Sequence, residues 1–340
     1  MKDLPILITG AGGMLGSHLV EALSRAGYRN LTLASRQSFE TDLKLEVGDL
    51  KDWNYLLRII EGKHTIIHAA SKISYSDLDF DALMAENTLV MRSMIDLALE
   101  YDVPNFVYIS STSTLFRTGI TESINEESTW KSKIQTSPYG TSKFYGELEW
   151  ARGLAEGLNG HLLLPSVIIP EHGFYHQNFG KNIKMLEDGF EHYPSGSGGF
   201  VAVSDVCKII LEILENKIPT GKYILNAENI SYKEVFMTIH RALGLNTPLT
   251  PLKQWKLSLA VIFNGIQEKL FRKSNFINKH TASLSTSNFE YDNAKILQHS
   301  QIKFKPIKAS IQQYVQNYLK EKGAKWDKPL LEIHKPDSVN

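Results

Sequence analysis

The short apolar segment Ile6-Leu7-Ile8-Thr9 runs directly into Gly10-Ala11-Gly12-Gly13-Met14-Leu15-Gly16. Glycines at 10, 13 and 16 let a backbone leave a strand, turn sharply and enter a helix with no side chain over the turn. A pyrophosphate can then rest on the free N–H groups that open the helix. A strand passed at once to a helix commits the chain to βα units and a parallel sheet. Gly10, Gly13, Met14, Leu15 and Gly16 are therefore the first candidate ligand-binding residues.

The rest of the first half repeats that grammar. Apolar strand patterns occupy 6–9, 31–34, 43–47, 65–69, 106–110 and 161–167, with amphipathic helices at 14–26, 53–61, 80–101 and 139–158 between them. Gly27 suits the residue after a helix end. Ser137-Pro138 supplies a cap and a first-turn proline for the helix that begins at Tyr139. The pattern predicts an α/β fold: a Rossmann-type doubly wound parallel sheet with a smaller, mostly helical C-terminal substrate domain. The cofactor domain spans 1–170 and is completed by about 200–228, where strand 201–203, helix 204–215 and strand 223–225 return. Residues 171–199 and 229–322 form the substrate domain, with a short helix at 182–188 and a helix at 231–243 capped by Ser231 and Glu234. Residues 323–340 read as a flexible tail.

Composition narrows the function. Lysines and arginines number 37 and so do aspartates and glutamates. No global field therefore points to nucleic acid or to an anionic membrane. The one cysteine, Cys207, rules out an internal disulfide and falls in a helical pattern as a core thiol. The N-terminal apolar run is too short for a secretory signal, and no run reaches the roughly 20 residues of a membrane span. The expected location is the cytoplasm and the expected partner a small molecule.

Twenty positions after Gly16 stand Ser35-Arg36, at the end of the second strand. An acid there would favour NAD; an arginine can grip a 2′-phosphate in a bidentate way. Arg36 thus favours NADP(H), with NAD(H) possible and Lys44 a weaker helper. Asp49-Leu50, after the third strand, bounds the adenine position, although Asp49 fits a helix cap equally well, with Asp52 nearby.

Tyr139 and Lys143 stand four apart, on one helical face. An ammonium near a phenol lowers its pKa from about 10, and such a phenol can exchange a proton with a carbonyl or alcohol oxygen. Together with the glycine turn, Asp49-Leu50, His68-Ala69-Ala70, Asn87 and Tyr108-Ile109-Ser110-Ser111-Thr112, this pair resembles the extended short-chain dehydrogenase/reductase family, in the epimerase/dehydratase superfamily. The match runs from Ile6 to about Val206 and more loosely beyond. The resemblance implies Tyr139 as acid/base and Lys143 as the group that binds the nicotinamide ribose and tunes the phenol. Thr112 becomes the hydroxyl that orients the substrate oxygen, aligned on the aromatic Phe116, with Ser111 the runner-up. Ala69, Ala70 and Ser110 line the cofactor. Asn87 is either a direct participant or a buried amide bonded to backbone.

Smaller features set the branch. Ser113-Thr114 stand where sugar-nucleotide dehydratases carry Asp-Glu. Leu164-Pro165-Ser166-Val167-Ile168-Ile169-Pro170 lacks the asparagine usual in epimerases and resembles a segment of dihydroflavonol reductase-like enzymes, with Ile169 in place of its glycine. Pro165 and Val167 would then line the nicotinamide, and Tyr291-Asp292-Asn293-Ala294-Lys295 fits the same branch. The resemblance implies an NADPH-preferring reductase of a ketone or aldehyde, or the reverse alcohol oxidation. The alternatives are a nucleotide-sugar epimerase with tightly bound NAD, and a non-catalytic dinucleotide-sensing protein of this fold. The resemblance also leads us to expect a homodimer.

Two other features lie outside this scheme. His172 and His176, with His192 beyond, lack a third metal ligand in pattern and read, with Phe174, Tyr175 and Phe179, as the lining of a substrate mouth. Trp255, Leu259, Ile262, Phe263, Ile266 and Leu270 form a helical stripe, expected to pack on the core rather than to lie on a membrane.

Overall fold

A computed structural model describes residues 2–115, 123–128, 137–271 and 277–322. Phe116 and the tail 323–340 lie outside the described residues. The strands are β1 Ile6–Thr9, β2 Leu31–Ser35, β3 Lys44–Val47, β4 Thr65–His68, β5 Asn105–Ile109, β6 Gly160–Pro165, β7 Val167–Ile169, β8 His192–Tyr193, β9 Ser197–Ala202, β10 Gly221–Leu225, β11 Glu228–Ser231 and β12 Thr250–Pro251. The helices are α1 Met14–Arg25, α2 Trp53–Ile60, α3 Phe80–Leu83, α4 Val90–Glu100, α5 Pro138–Ala155, α6 Gly180–Glu187, α7 Val203–Leu214, α8 Tyr232–Ala242, α9 Gln254–Phe271, α10 Lys279–Thr286, α11 Ala294–His299 and α12 Ile307–Glu321.

Seven strands make one parallel sheet in the order β10-β6-β5-β4-β1-β2-β3. The order reverses between β1 and β4, so the carboxyl ends of those two strands flank the crevice where doubly wound folds bind ligands. The sheet is covered on both faces, which is why β1, β4 and β6 are buried along their whole length. Alternation sorts the side chains: Ile6 and Ile8 join the core under α1 and α7, while Leu7 joins the core under α2, α4 and α5. Cys207 lies in the first of these cores, buried, and burial pushes its thiol up. The edge strand β3 is half exposed and carries Lys44 and Glu46, charges that discourage further pairing. A third core joins α6, α8 and α12 beneath β9.

Three boundaries differ from expectation. The sixth strand breaks at Ser166, where the chain leaves the large sheet and β7 enters a three-stranded sheet with β9 and β11. The helix expected over 80–101 is interrupted by a π-helical turn at Met84–Leu89. Such turns frequently mark functional sites. Asp52, not Asp49, caps α2, accepting from the N–H groups of Asn54 and Tyr55; Asp49 instead accepts from Lys51 N at 3.0 Å.

Candidate active site

The glycine turn occupies the crevice between β1 and β4. Gly10 has φ +71°, and a Cβ there would meet the Ala70 backbone at 2.7 Å. A Cβ on Gly16 would meet the Gly10 carbonyl oxygen at 2.1 Å. The turn therefore closes only with hydrogen at both positions. The α1 N-terminus, which includes Met14 and Leu15, has no side-chain cap and no acid in its first turn. Its free N–H groups and positive dipole end suit a pyrophosphate. Ala69 and Ala70 close over the turn, Ala70 N donating to Thr9 Oγ1 at 3.4 Å. His68 bonds Thr9 Oγ1 through Nδ1 at 2.8 Å and stacks on Tyr108.

Arg36 leaves the end of β2 exposed to solvent, its Nη1 3.2 Å from Glu86 Oε2. Glu86 lies in the π turn and also faces Lys72 Nζ at 3.9 Å. Lys44 does not join them. It pairs with Thr32 in the sheet register, three residues from the Ser35 end of β2, and bonds Glu46.

Helix α5 carries Tyr139 and Lys143. Ser137 accepts from Gly140 N at 3.1 Å and Pro138 opens the first turn, so the helix starts at the expected place. Tyr139 is buried; its ring lies 6.1 Å from Tyr75, and the Ser71 and Ser111 hydroxyls pull its phenol pKa down against burial. Ser111 also accepts from Ser113 N at 3.1 Å. Thr112 is buried at the start of the short 3₁₀ turn. Ser111, the runner-up in sequence, is one of the two hydroxyls that act on the phenol. Asn87 brackets the arrangement: Oδ1 accepts from Lys72 N and Ser71 Oγ, and Nδ2 donates to Lys72 O and Ser142 Oγ. Its amide ties the loop carrying Ser71 to α5, with both of its ends engaged by protein groups.

The electrostatics differ from the expectation that Lys143 lowers the Tyr139 pKa. Burial pushes the phenol upward, Tyr75 adds to this, and the two serine hydroxyls oppose it. Lys143 is buried as well, donates to Ile109 O at 2.7 Å and lies 4.4 Å over the Tyr108 ring. Burial pulls its ammonium down to about 7, and Glu147 works against this. Glu147 is absent from the residues that sequence alone points to. One turn beyond Lys143, it is buried, accepts from Ser110 Oγ at 2.6 Å and faces Lys222 Nζ at 3.4 Å. The Lys143-x-x-x-Glu147 spacing is its available signal, since i and i+4 share a face.

At the far end of the crevice, Pro165 is buried, while Val167 is 42% exposed. The segment at Tyr291 is clasped to the β10–β11 turn, Asn226 Nδ2 and Asn229 Nδ2 both donating to Tyr291 O. Tyr175 and Phe179 do not line a mouth. Both are buried in the third core, Tyr175 stacked on Tyr314 at 5.0 Å. Their spacing brings them inward against α12, an element far along the chain. His172 stacks on His18 at 4.4 Å and bonds Glu21, which raises its pKa; His176 is exposed.

These histidines predict an acid-sensitive fold. Burial holds His18 at about 4 and His68 at about 3, both below the usual 6.5. As pH falls below 6.5 the unfolded chain takes up protons that the fold refuses. Stability contributed by each neutral histidine is then lost toward its folded pKa, at about 1.4 kcal/mol per pH unit. His172 is raised, so its own contribution is fully present at low pH and does not offset this loss. The melting temperature should fall between pH 6.5 and 5, and His18→Gln should make that fall shallower. A melting temperature that stays constant over this range would refute the assignment.

Comparison with known proteins agrees with this geometry. The NAD dependent epimerase/dehydratase family matches residues 6–226. A putative dihydroflavonol 4-reductase from Synechocystis is 24% identical over 319 residues, covering 89% of this chain and 91% of that one. Sterol demethylase protein B from Methylococcus capsulatus is 23% identical over 299 residues, covering 85% and 90%. Among solved structures, gox2253 superposes with a TM-score of 0.77 at 23% identity, covering 94% of this chain and 99% of that one. The sheet order, the glycine turn and the extent of the family match together show that the chain belongs to the NAD dependent epimerase/dehydratase family, among the extended short-chain dehydrogenases/reductases.

Proposed function

We propose that the protein is an NADPH-preferring reductase of a ketone or aldehyde, or catalyses the reverse oxidation of the alcohol. The observation that carries the reading is the buried Tyr139 on the helix face that also holds the buried Lys143, with the Ser71 and Ser111 hydroxyls acting on its phenol. When bound, the dinucleotide supplies the hydride. The chain's residues do the rest. Gly10, Gly13 and Gly16 would hold the pyrophosphate against α1, with Asp49, Leu50, Ala69 and Ala70 toward the adenosine and Pro165 and Val167 toward the nicotinamide. Tyr139 gives its proton to the carbonyl oxygen as negative charge grows there. Its raised pKa keeps it protonated at neutral pH, which suits a proton donor. We assign Ser111 ahead of Thr112 as the hydroxyl that holds the same oxygen, because the Ser111 hydroxyl acts on the phenol. Similarity to a putative dihydroflavonol 4-reductase supports a carbonyl substrate.

The preference for NADPH rests on Arg36. Its guanidinium is exposed at the end of β2, with the carboxylate of Glu86 as partner. A 2′-phosphate offers a stronger, bidentate acceptor than the single contact with that partly buried carboxylate. Fluorescence titration should give NADPH binding at least about tenfold tighter than NADH, a difference of about 1.4 kcal/mol, and Arg36→Ala should abolish it. Equal affinities would remove the role of Arg36. NAD already bound in the purified protein would move the assignment to a nucleotide-sugar epimerase, epimerisation being one activity named by the family.

A further inference from the structure

Helix α9 is built the wrong way round for a helix packed on a core. Trp255, Leu259, Ile262, Phe263, Ile266 and Leu270 recur at helical spacing and are 52% to 71% exposed. They account for six of the eighteen large apolar side chains exposed among the described residues, so the exposure is concentrated on one helix face. The polar side turns inward instead: Asn264 Nδ2 donates to Ile277 O at 2.9 Å, and Glu268 Oε1 accepts from Ser76 Oγ at 3.1 Å. The expectation that the stripe packs on the core is thereby overturned. Leaving such a continuous apolar face in water is costly, and a patch of this kind marks an interaction surface.

We propose that α9 docks the protein on a membrane surface carrying anionic headgroups. Charge selects this occupant. From Lys253 to Lys273 the sequence holds five basic residues (Lys253, Lys256, Lys269, Arg272 and Lys273) and one acid, Glu268, in a chain of zero net charge. The one acid is engaged inward with Ser76. Basic residues at both ends of an apolar helical segment match a bilayer interface with anionic lipid. A second copy of the chain would instead bring that basic set against itself, at an electrostatic cost. No helix among the described residues is long and apolar enough to cross a membrane, so α9 lies in the interface plane.

Docking there also orients the candidate active site. The loop that bonds α9 through Ser76 carries Tyr75, whose carbonyl accepts from Asn278 Nδ2 at 2.9 Å and whose ring faces Tyr139. Asp77 of the same loop pairs with Lys279 and His280 of α10. A membrane against the apolar face of α9 therefore lies one helix away from the loop whose Tyr75 packs on Tyr139. Under the reductase reading this gives apolar carbonyl compounds dissolved in lipid a route to the site, but the docking itself does not rest on that reading.

The test is cosedimentation of the full chain with vesicles of phosphatidylcholine, with and without phosphatidylglycerol. Binding should rise with phosphatidylglycerol, weaken with salt, and fall about tenfold or more in the double variant Ile262→Glu/Phe263→Glu. Lys253→Glu/Lys256→Glu, at exposed positions, should remove the dependence on phosphatidylglycerol while leaving the melting temperature unchanged. Wild-type protein that stays in the supernatant with both vesicle types would overturn the proposal. So would a dimer in sedimentation analysis that becomes monomeric in Phe263→Glu, because the face would then be covered by a second copy.

Discussion

Tyr139→Phe should lower the turnover of any carbonyl substrate by about 10²–10⁴-fold while leaving NADPH affinity close to that of the wild type. The reason lies in what surrounds the hydroxyl. Ser71 and Ser111, the two hydroxyls that act on it, each have a partner of their own: Ser71 donates to Asn87 Oδ1, and Ser111 accepts from Ser113 N. The ring also keeps its place beside Tyr75. Removal of the hydroxyl therefore costs at most about 1 kcal/mol of stability and takes away the proton that must reach the carbonyl oxygen. The measurement is kcat and KM beside the NADPH dissociation constant. Loss confined to kcat supports proton donation by Tyr139. Undiminished kcat would remove Tyr139 from the chemistry. A wild type that binds dinucleotide but reduces none of a broad set of carbonyl compounds would favour the sensing role.

Much of this arrangement is written in local sequence. Ile6 to Gly16 specify a strand, a turn and a helix through steric needs that only glycine meets, and Ser137-Pro138 fixes where α5 begins. Both therefore appear in the structure at the expected residues. What escapes local reading depends on partners distant in the chain. Tyr175 and Phe179 suit an aromatic mouth until Tyr314 of α12 packs on them from 139 positions beyond Tyr175. Lys44 follows soon after Arg36 in the chain, but strand register sets it toward the other end of β2. The stripe on α9 has the spacing of a core helix, yet spacing cannot say which face turns inward; Ser76 and Ile277 decide that. Burial has the same character. An isolated Tyr–Lys pair implies an acidified phenol, whereas in the folded chain both groups are desolvated and the phenol rises.

Glu147 is where that desolvation should be most visible. Its carboxylate is the opposing influence that raises the buried Lys143, and it also accepts from Ser110 and faces Lys222. Glu147→Ala leaves Lys143 buried without this compensation, a situation that typically costs about 3–5 kcal/mol. Glu147→Gln keeps the shape and an acceptor for Ser110 but removes the charge, so it should be the milder change in stability. Both variants should bring the Lys143 pKa below about 7, because the influence that raises it is gone. Lys143 is then neutral over more of the working range. The alkaline limb of kcat/KM in the free enzyme should accordingly move to lower pH, and it should do so in Glu147→Gln even where the melting temperature is nearly that of the wild type. This separates a residue that sets the charge of Lys143 from one that merely fills space. A pH profile of Glu147→Gln superimposable on that of the wild type would leave Glu147 with a packing role alone.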